Sequence, residues 1–461
     1  MKRNFLHLSD IHFCNSNFNT SRMRDLLIKK IGELAVIDPI SYILITGDLT
    51  YQNAPYGEPL LLFLENLLRK CGLSHDRILI VPGNHDVARS TLRTTILKTI
   101  QADEDFNDFP YDVEKQLLAD QNSFFAFHDK IVNVTFPQDL IHWSFAGEGF
   151  NIILINTAIT SGRDDEEGHL KINLQKLYNA LHAKDGKNVI NIAMGHHGLD
   201  CMYKKDKEKT ISLFEDHDVN MYLCGHIHKS GYAINADGFR EIPQIVAGAG
   251  IVDGYGEPGF NIVTIDDSDM KAKVTFYIWN NEKDIWVVNT GVGRKAVNGV
   301  LELTLANSNA ESNCDYVVDE DDFRRFIAEF HKNVQAPPEN ASTLYMKDVS
   351  EKFTNMKCSS TVSRQYEKLS VYFPVVDQVM ESPLFMPAEC KLIIVGVVIS
   401  EYNNAFDLYS TGNQILEAVV SGIFKKYQEK LRYPEPRLKH YIKILVFWLI
   451  YGCDIFDDIK E

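Results

Sequence analysis

Ile78-Leu-Ile-Val-Pro-Gly-Asn-His-Asp86 is an apolar run that stops at Pro82-Gly83 and delivers three polar residues at once. Such a run reads as a buried strand, closed by its Pro-Gly pair. The same arrangement recurs along the chain. Asn4–Leu8 precedes Asp10-Ile-His12, and Tyr42–Thr46 precedes Gly47-Asp48. Asn188–Met194 precedes Gly195-His-His-Gly198, and Val219–Leu223 precedes Gly225-His-Ile-His228. Between these runs lie amphipathic segments, Arg22–Val36, Pro59–Lys70, Leu174–His182 and Thr210–Asp216, with apolar residues at helical spacing. From Pro243 to Thr290 the pattern becomes strand after strand. Alternating βα units passing into a β meander predict an α/β fold, a layered β-sandwich flanked by helices.

The five polar motifs each follow a strand-like run, and strand C-termini gather at one edge of such a sheet. Separate strands can therefore bring Asp10, His12, Asp48, Asn84, His85 and the paired histidines to one place. Carboxylates, an amide oxygen and imidazoles without thiolate suit Mn²⁺, Fe or Zn²⁺. The two-residue spacing of Asp10 and His12, and of His226 and His228, predicts that each pair shares a face if the strand geometry persists. Taken singly, a Gly-Asp is a turn and an Asn-His-Asp a polar loop. Five such motifs in order point to a metal site.

The set resembles the calcineurin-like metallophosphoesterase superfamily, whose motifs run D-x-H, G-D, G-N-H-[DE], a lone-His motif and G-H-x-H. The resemblance covers roughly residues 1–300. It implies two divalent metal ions, with Mn²⁺ the first expectation and Fe or Zn²⁺ the alternatives. Asp10, His12 and His228 would hold one ion, Asp48 would bridge, and Asn84, His196 and His226 would complete the other. His85 would be the catalytic histidine at the leaving oxygen, and Asp86 would orient its neighbours from behind. The lone-His motif usually reads H-x-P. Here Gly198 stands in place of proline, so His196 is assigned as ligand by motif alignment and His197 as its supporting neighbour. The implied chemistry is in-line attack of a metal-bridging hydroxide on a phosphodiester or phosphomonoester. The second motif, Gly47-Asp-Leu-Thr-Tyr-Gln-Asn53, departs from the G-D-x-V-D-R-G of protein Ser/Thr phosphatases, which disfavours that identity.

The 461 residues predict about two to four domains. A hydrophobic content of 45% and a charged content of 24% exclude a disordered or collagen-like chain. The net charge of −16 excludes a wholly basic nucleic-acid-coating protein. Eight cysteines without C-x-x-C spacing read as reduced thiols. The apolar stretch Ile444–Tyr451 is too short for a bilayer, which needs about 20 residues. These features predict a soluble, cytoplasmic protein with no membrane contact. The remaining histidines, His7 and His142 among them, read as packing or surface residues. Asp164-Asp-Glu-Glu167 reads as a solvated loop, and Asn15, Asn17 and Asn19 as remote candidates for substrate contact.

The organisation read from the sequence is a phosphoesterase domain over 1–305 with a helical insertion at about 88–145, which could wall the site. An acidic linker region follows at 306–340, then a smaller, mainly helical C-terminal interaction domain at 341–461. In the last, helices are predicted near 345–356, 361–370, 412–430 and 436–451, and a strand at Leu392–Ser400. Between Phe424 and Lys443, seven basic residues face two acidic ones, which leaves nucleic acid or a protein partner open. The chain end weakly resembles C-terminal domains of bacterial multicomponent systems that include an ABC-type ATPase. Two alternatives to a phosphoesterase acting on a smaller ester are therefore carried. One is a DNA or RNA nuclease component working with such an ATPase in phage defence. The other is a non-catalytic partner-binding scaffold.

Overall fold

The computed structural model describes residues 2–13, 17–52, 54–102, 109–133, 140–162, 166–186, 188, 190–236, 241–252, 254, 256–305, 319–333, 369–382, 388–406 and 412–452. The chain divides into two compact units, one built mainly from residues 1–308 and the other mainly from 309–461.

The first unit contains two sheets. In one, β1 (Lys2–Leu8), β2 (Tyr42–Ile45) and β3 (Ile78–Ile80) run parallel. This sheet continues antiparallel from β1 through Gly259–Asp266, Lys271–Asn280 and Ile285–Val288. In the other, β5 (Phe150–Ile155), β6 (Ile190–Met194) and β7 (Met221–Cys224) are parallel, with Glu241–Val246 parallel to β7. Three strands not foreseen from the sequence, β4 (His142–Gly147), Gly231–Ala236 and Val300–Thr304, pair antiparallel with these sheets. They are short and half-polar, so their apolar periodicity is faint.

The second sheet is buried on both faces, which explains its continuous apolar strands. Ile152 and Leu154 of β5, Ile192 and Met194 of β6, and Met221 and Leu223 of β7 join a core shared with Phe5, Ile43 and Leu79 of the first sheet. Their alternate neighbours Ile153, Ile155, Ala193, Tyr222 and Cys224 pack outward with Leu177 and Leu181 of Leu174–His182 and Phe214 of Lys204–Asp216. The two-residue period thus separates a sheet-on-sheet layer from a sheet-on-helix layer. The first sheet is covered by Phe18–Ile37, through Met23, Leu27 and Ile31, and by Glu58–Cys71, through Leu64 and Leu67.

The second unit is helical where described. Phe323, Phe326, Ile327 and Phe330 of Glu320–Asn333 form one apolar face. They share a core with Phe373–Met380, Ala388–Phe406, Gly412–Tyr427 and Glu435–Gly452. The strand expected at Leu392–Ser400 is a correction, because it lies inside the helix Ala388–Phe406. Ile394, Val397 and Val398 are buried in a helical core, and a short apolar run has no periodicity that separates a buried helix from a strand. The helix expected near 345–356 and most of that near 361–370 lie outside the described residues. Among the described residues no helix is long and apolar enough to cross a membrane.

Candidate metal centre

The two sheets present their parallel strand ends to the same place. β1 is followed by Asp10 and His12, β2 by Asp48, β3 by Asn84 and His85, β6 by His196, and β7 by His226 and His228. The strand geometry does not persist into the motifs, contrary to the two-residue expectation. β1 ends at Leu8 and β7 at Cys224, and the backbone then turns left-handed. Asp10, His12, Asp48, His226 and His228 have φ of 50°, 45°, 53°, 73° and 54°. Each such residue costs about 1–2 kcal/mol relative to right-handed backbone. Side-chain convergence is therefore produced by strained turns and not by the pleat, and strain of this kind concentrates at functional sites. Gly47 (φ 92°) admits the close approach this requires. A Cβ on it would lie 2.7 Å from Gly83 N and 2.8 Å from His196 Nδ1.

Asp48 occupies the middle. Its Oδ1 accepts from His85 N at 2.8 Å. Its Oδ2 lies 3.7 Å from His12 Nε2 and 3.5 Å from His196 Nε2, so one oxygen faces both halves of the cluster. Burial, with the nearby charges of Asp10 and Asp86, pushes its carboxyl well above the usual carboxylate range. On one side, His12 Nε2 is 3.1 Å from His228 Nε2, and Asp10 Oδ1 is 3.3 Å from His228 Nε2. On the other, His196 Nε2 is 2.8 Å from Asn84 Oδ1 and 3.3 Å from His226 Nδ1. Asp10, His12, Asp48 and His228 form one group of donors close enough to hold a metal ion, and His196, His197 and His226 form another.

The hydrogen bonds behind the cluster show that lone pairs, not protons, point inward. His196 Nδ1 is 2.7 Å from the Thr46 carbonyl and His12 Nδ1 is 3.3 Å from the Thr50 carbonyl. A carbonyl only accepts, so each Nδ1 carries the proton. Burial holds His196 well below its ordinary pKa, so its Nε2 is bare and faces the bare Asn84 oxygen. Acceptors meeting acceptors at 2.8 Å are repulsive unless a cation sits among them. This is the arrangement by which carbonyl partners fix the tautomer of metal-binding imidazoles, and the residues present fit a metal pair.

His85 stands at the rim, its side chain 18% exposed. Gln52 N donates to its Nδ1 at 3.1 Å, leaving the proton on Nε2, which lies 4.0 Å from Asp48 Oδ2. Tyr51 stacks on the imidazole, with ring centroids 4.7 Å apart and planes 20° apart. Burial, helped by His12, lowers the His85 pKa to about 4, so the ring is neutral near pH 7. The Asp86 carboxylate takes its hydrogen bonds from other residues than His85. It accepts from Gly83 N (2.9 Å), Leu49 N (3.4 Å), Thr50 N (3.5 Å) and Tyr56 Oη (2.8 Å). Asp86 thus ties the loop carrying Asp48 to the loop carrying Asn84, while burial lifts its carboxyl to about 6 against these bonds.

His197 lies against both His196 and His226, with centroid separations of 4.7 and 4.5 Å. Both of its nitrogens are already engaged. Thr157 Oγ1 accepts from His196 N (3.1 Å) and His197 N (3.0 Å) and turns its own proton to His197 Nδ1 at 3.0 Å. His197 Nε2 then donates to Glu166 Oε2 at 2.9 Å. Glu166 was not foreseen, since its acidic run reads as a solvated loop. It is buried, and Gly162 N donates to its Oε1 at 2.8 Å. Burial works to raise its carboxyl, but the bonds from His197 and Gly162 outweigh this and hold it at about 2. Asp164 lies outside the described residues. A lone acid in an acidic run carries no burial signal, so only the fold could single it out.

The insertion contributes Thr91–Ala102, Tyr111–Ala119 and Asn122–Ile131. Its buried Arg93 donates to the carbonyls of Ala158 (3.2 Å), Ile159 (2.7 Å) and Ser161 (2.7 Å) and to Asp120 Oδ2 (3.2 Å). That turn begins with Thr157. Gln121 and Asn156 exchange amide hydrogen bonds beside it. Asn17 caps Phe18–Ile37 by accepting from Thr20 N at 2.7 Å. Asn15 lies outside the described residues, and Asn19 is within that helix.

A family model described as calcineurin-like phosphoesterase matches residues 3–230. An uncharacterized metallophosphoesterase-like protein of Bacillus subtilis (strain 168), YydB, is 32% identical over an alignment of 478 positions, covering 100% of this chain and 99% of the relative. Among solved structures, a dimetal phosphatase from Danio rerio is similar at 12% identity and TM-score 0.37, over 66% of this chain and 99% of that one. GAP50 of Plasmodium, an anchor in the inner membrane complex, is similar at 12% identity and TM-score 0.38, over 66% and 90%.

Proposed function

Because the chain belongs to the calcineurin-like phosphoesterase family, we propose that it hydrolyses a phosphodiester or phosphomonoester at a dinuclear centre, Mn²⁺ being the first expectation. The observation that carries this is Asp48 Oδ2, which faces His12 Nε2 at 3.7 Å and His196 Nε2 at 3.5 Å from a buried position. Asp10, His12 and His228 would hold one ion, and Asn84, His196 and His226 the other, with Asp48 shared. Two such ions supply Lewis acidity toward a phosphoryl group and its nucleophile.

The chain's own residues do the rest. The carbonyls of Thr46 and Thr50 keep two imidazoles in the tautomer that turns Nε2 inward. Asp86 holds the two loops in register. His85, neutral with its proton on Nε2, is placed to hydrogen-bond a leaving oxygen and so steady the charge that develops there. Tyr51 and the Gln52 amide fix its ring plane.

The nuclease reading gains no support from the basic segment. Of its seven cations, Lys426, Arg437, Lys439 and Lys443 pair with Glu401, Asp322, Glu435 and Glu417. A diester of small size is the preferred substrate class. The test is turnover by the Mn²⁺-loaded chain on bis-p-nitrophenyl phosphate, cyclic nucleotides, monoesters, and single- and double-stranded DNA and RNA. Diester turnover that falls to background in Asp48→Ala is expected. A fully loaded wild type inert on the whole panel would leave the scaffold reading.

A further inference from the structure

The two halves of the centre differ in charge. Asp10 and Asp48 both belong to one half, whereas the other combines the shared Asp48 with Asn84, His196 and His226, all neutral. A second divalent cation would thus sit among ligands that scarcely compensate it. Behind that half lies a buried carboxylate. Glu166 bonds His197 Nε2 at 2.9 Å, and His197 packs against His226 and His196.

We propose that Glu166, acting through His197, is a positioning carboxylate of the Asn84–His196–His226 half, supplying negative charge there without occupying a coordination position. The inference rests on the dinuclear reading above. Three observations support it. His197 cannot serve as a ligand while Thr157 and Glu166 hold both its nitrogens, so its role is to carry the carboxylate toward the histidines it touches. A buried carboxylate is expensive and persists where an opposite charge or donated bonds compensate it. Its field also reaches the centre, since Glu166 is among the charges acting on Asp48 and His226. Leaving coordination positions free suits a half-site that must also admit a phosphoryl oxygen.

The test is Mn²⁺ binding by the metal-stripped full chain, followed by calorimetry and by the electron paramagnetic resonance signal of a coupled Mn–Mn pair. The wild type is expected to bind two ions. Glu166→Gln keeps the shape and removes the charge. It is expected to weaken the second binding event by about 10–100-fold, the usual effect of an outer carboxylate, and to leave the first unchanged. The coupled signal should appear only at correspondingly higher Mn²⁺. Glu166→Asp, which keeps the charge but draws it back, should fall between the two and serves if Glu166→Gln fails to fold. Two unchanged events in both variants overturn this inference and leave the dinuclear reading standing. Equal weakening of both events also overturns it, since the effect would then not belong to one half. A wild type that takes up a single ion overturns the dinuclear reading and this inference with it.

Discussion

The first unit hides polar groups at its strand ends, and among the described residues of the second almost none are hidden. Asp10, His12, Asp48, Asn84, Asp86, His196, His197 and Glu166 are all buried in the first. In the second, the described core is Phe, Val, Ile, Leu, Tyr, Met and Ala, with ion pairs such as Lys439–Glu435 at 2.8 Å on its surface. Buried polar groups cost free energy unless paired, so their concentration marks where the molecule spends stability on chemistry. The described helical core shows what the same chain does where side chains only pack against one another. Substitutions should therefore separate rate from stability.

The sharpest break in this comparison is His85→Ala. We expect diester turnover at saturating Mn²⁺ to fall by about 10²–10³-fold, the range for losing one hydrogen-bond donor to developing charge, with the thermal midpoint nearly unmoved. A substrate with a poorer leaving group should suffer more than a nitrophenyl ester. An equal loss on both would remove the role at the leaving oxygen.

Phe326→Ala is the converse. The ring is fully buried among Phe323, Phe330, Tyr433 and Tyr441. Its loss should cost about 3–5 kcal/mol in denaturant unfolding of that unit, and the metal affinity of the first unit should not follow. A parallel loss of metal binding would show that the two units are energetically coupled.

The smallest effect tests a buried histidine away from the centre. His142 takes a bond from Asn156 N and gives one to the Ile172 carbonyl, and burial lowers its pKa to about 4. An unfolded histidine titrates near 6.5. Between about pH 6.5 and 4 the unfolded chain binds the extra proton and the folded one does not, so stability is present above this window and is lost as pH falls through it. The loss should be on the order of 3 kcal/mol, read as a falling urea midpoint. His142→Gln should flatten that slope, and an unchanged slope would place its origin elsewhere.

Much of this architecture was legible in the sequence because strands announce their own ends. Pro82-Gly83 closes an apolar run and hands over Asn84 and His85, and the same logic located Asp10, Asp48, His196 and His226. What failed was the extension of a local period beyond its element. Asp10 and His12 share a site through left-handed backbone, which two-residue spacing cannot reveal. Leu392–Ser400 failed for a related reason, since helical burial on many sides erases the pattern that names a helix. Glu166 was invisible for another. Its neighbours in sequence are acidic and its partner is 31 residues away, so the fold alone gives it meaning.

Arg93 carries a consequence for how this chain can be altered. Its guanidinium is spent on the carbonyls of Ala158, Ile159 and Ser161, next to the threonine that steadies His196 and His197. The helical insertion and that turn are therefore one exchangeable cassette. Grafting the insertion alone into a relative would leave Arg93 its insertion partners Asp120 and Leu117 but take away the carbonyls of the turn, and deleting it would take the guanidinium donor from all three of those carbonyls. Any recombination or shortening of this region has to move both pieces together.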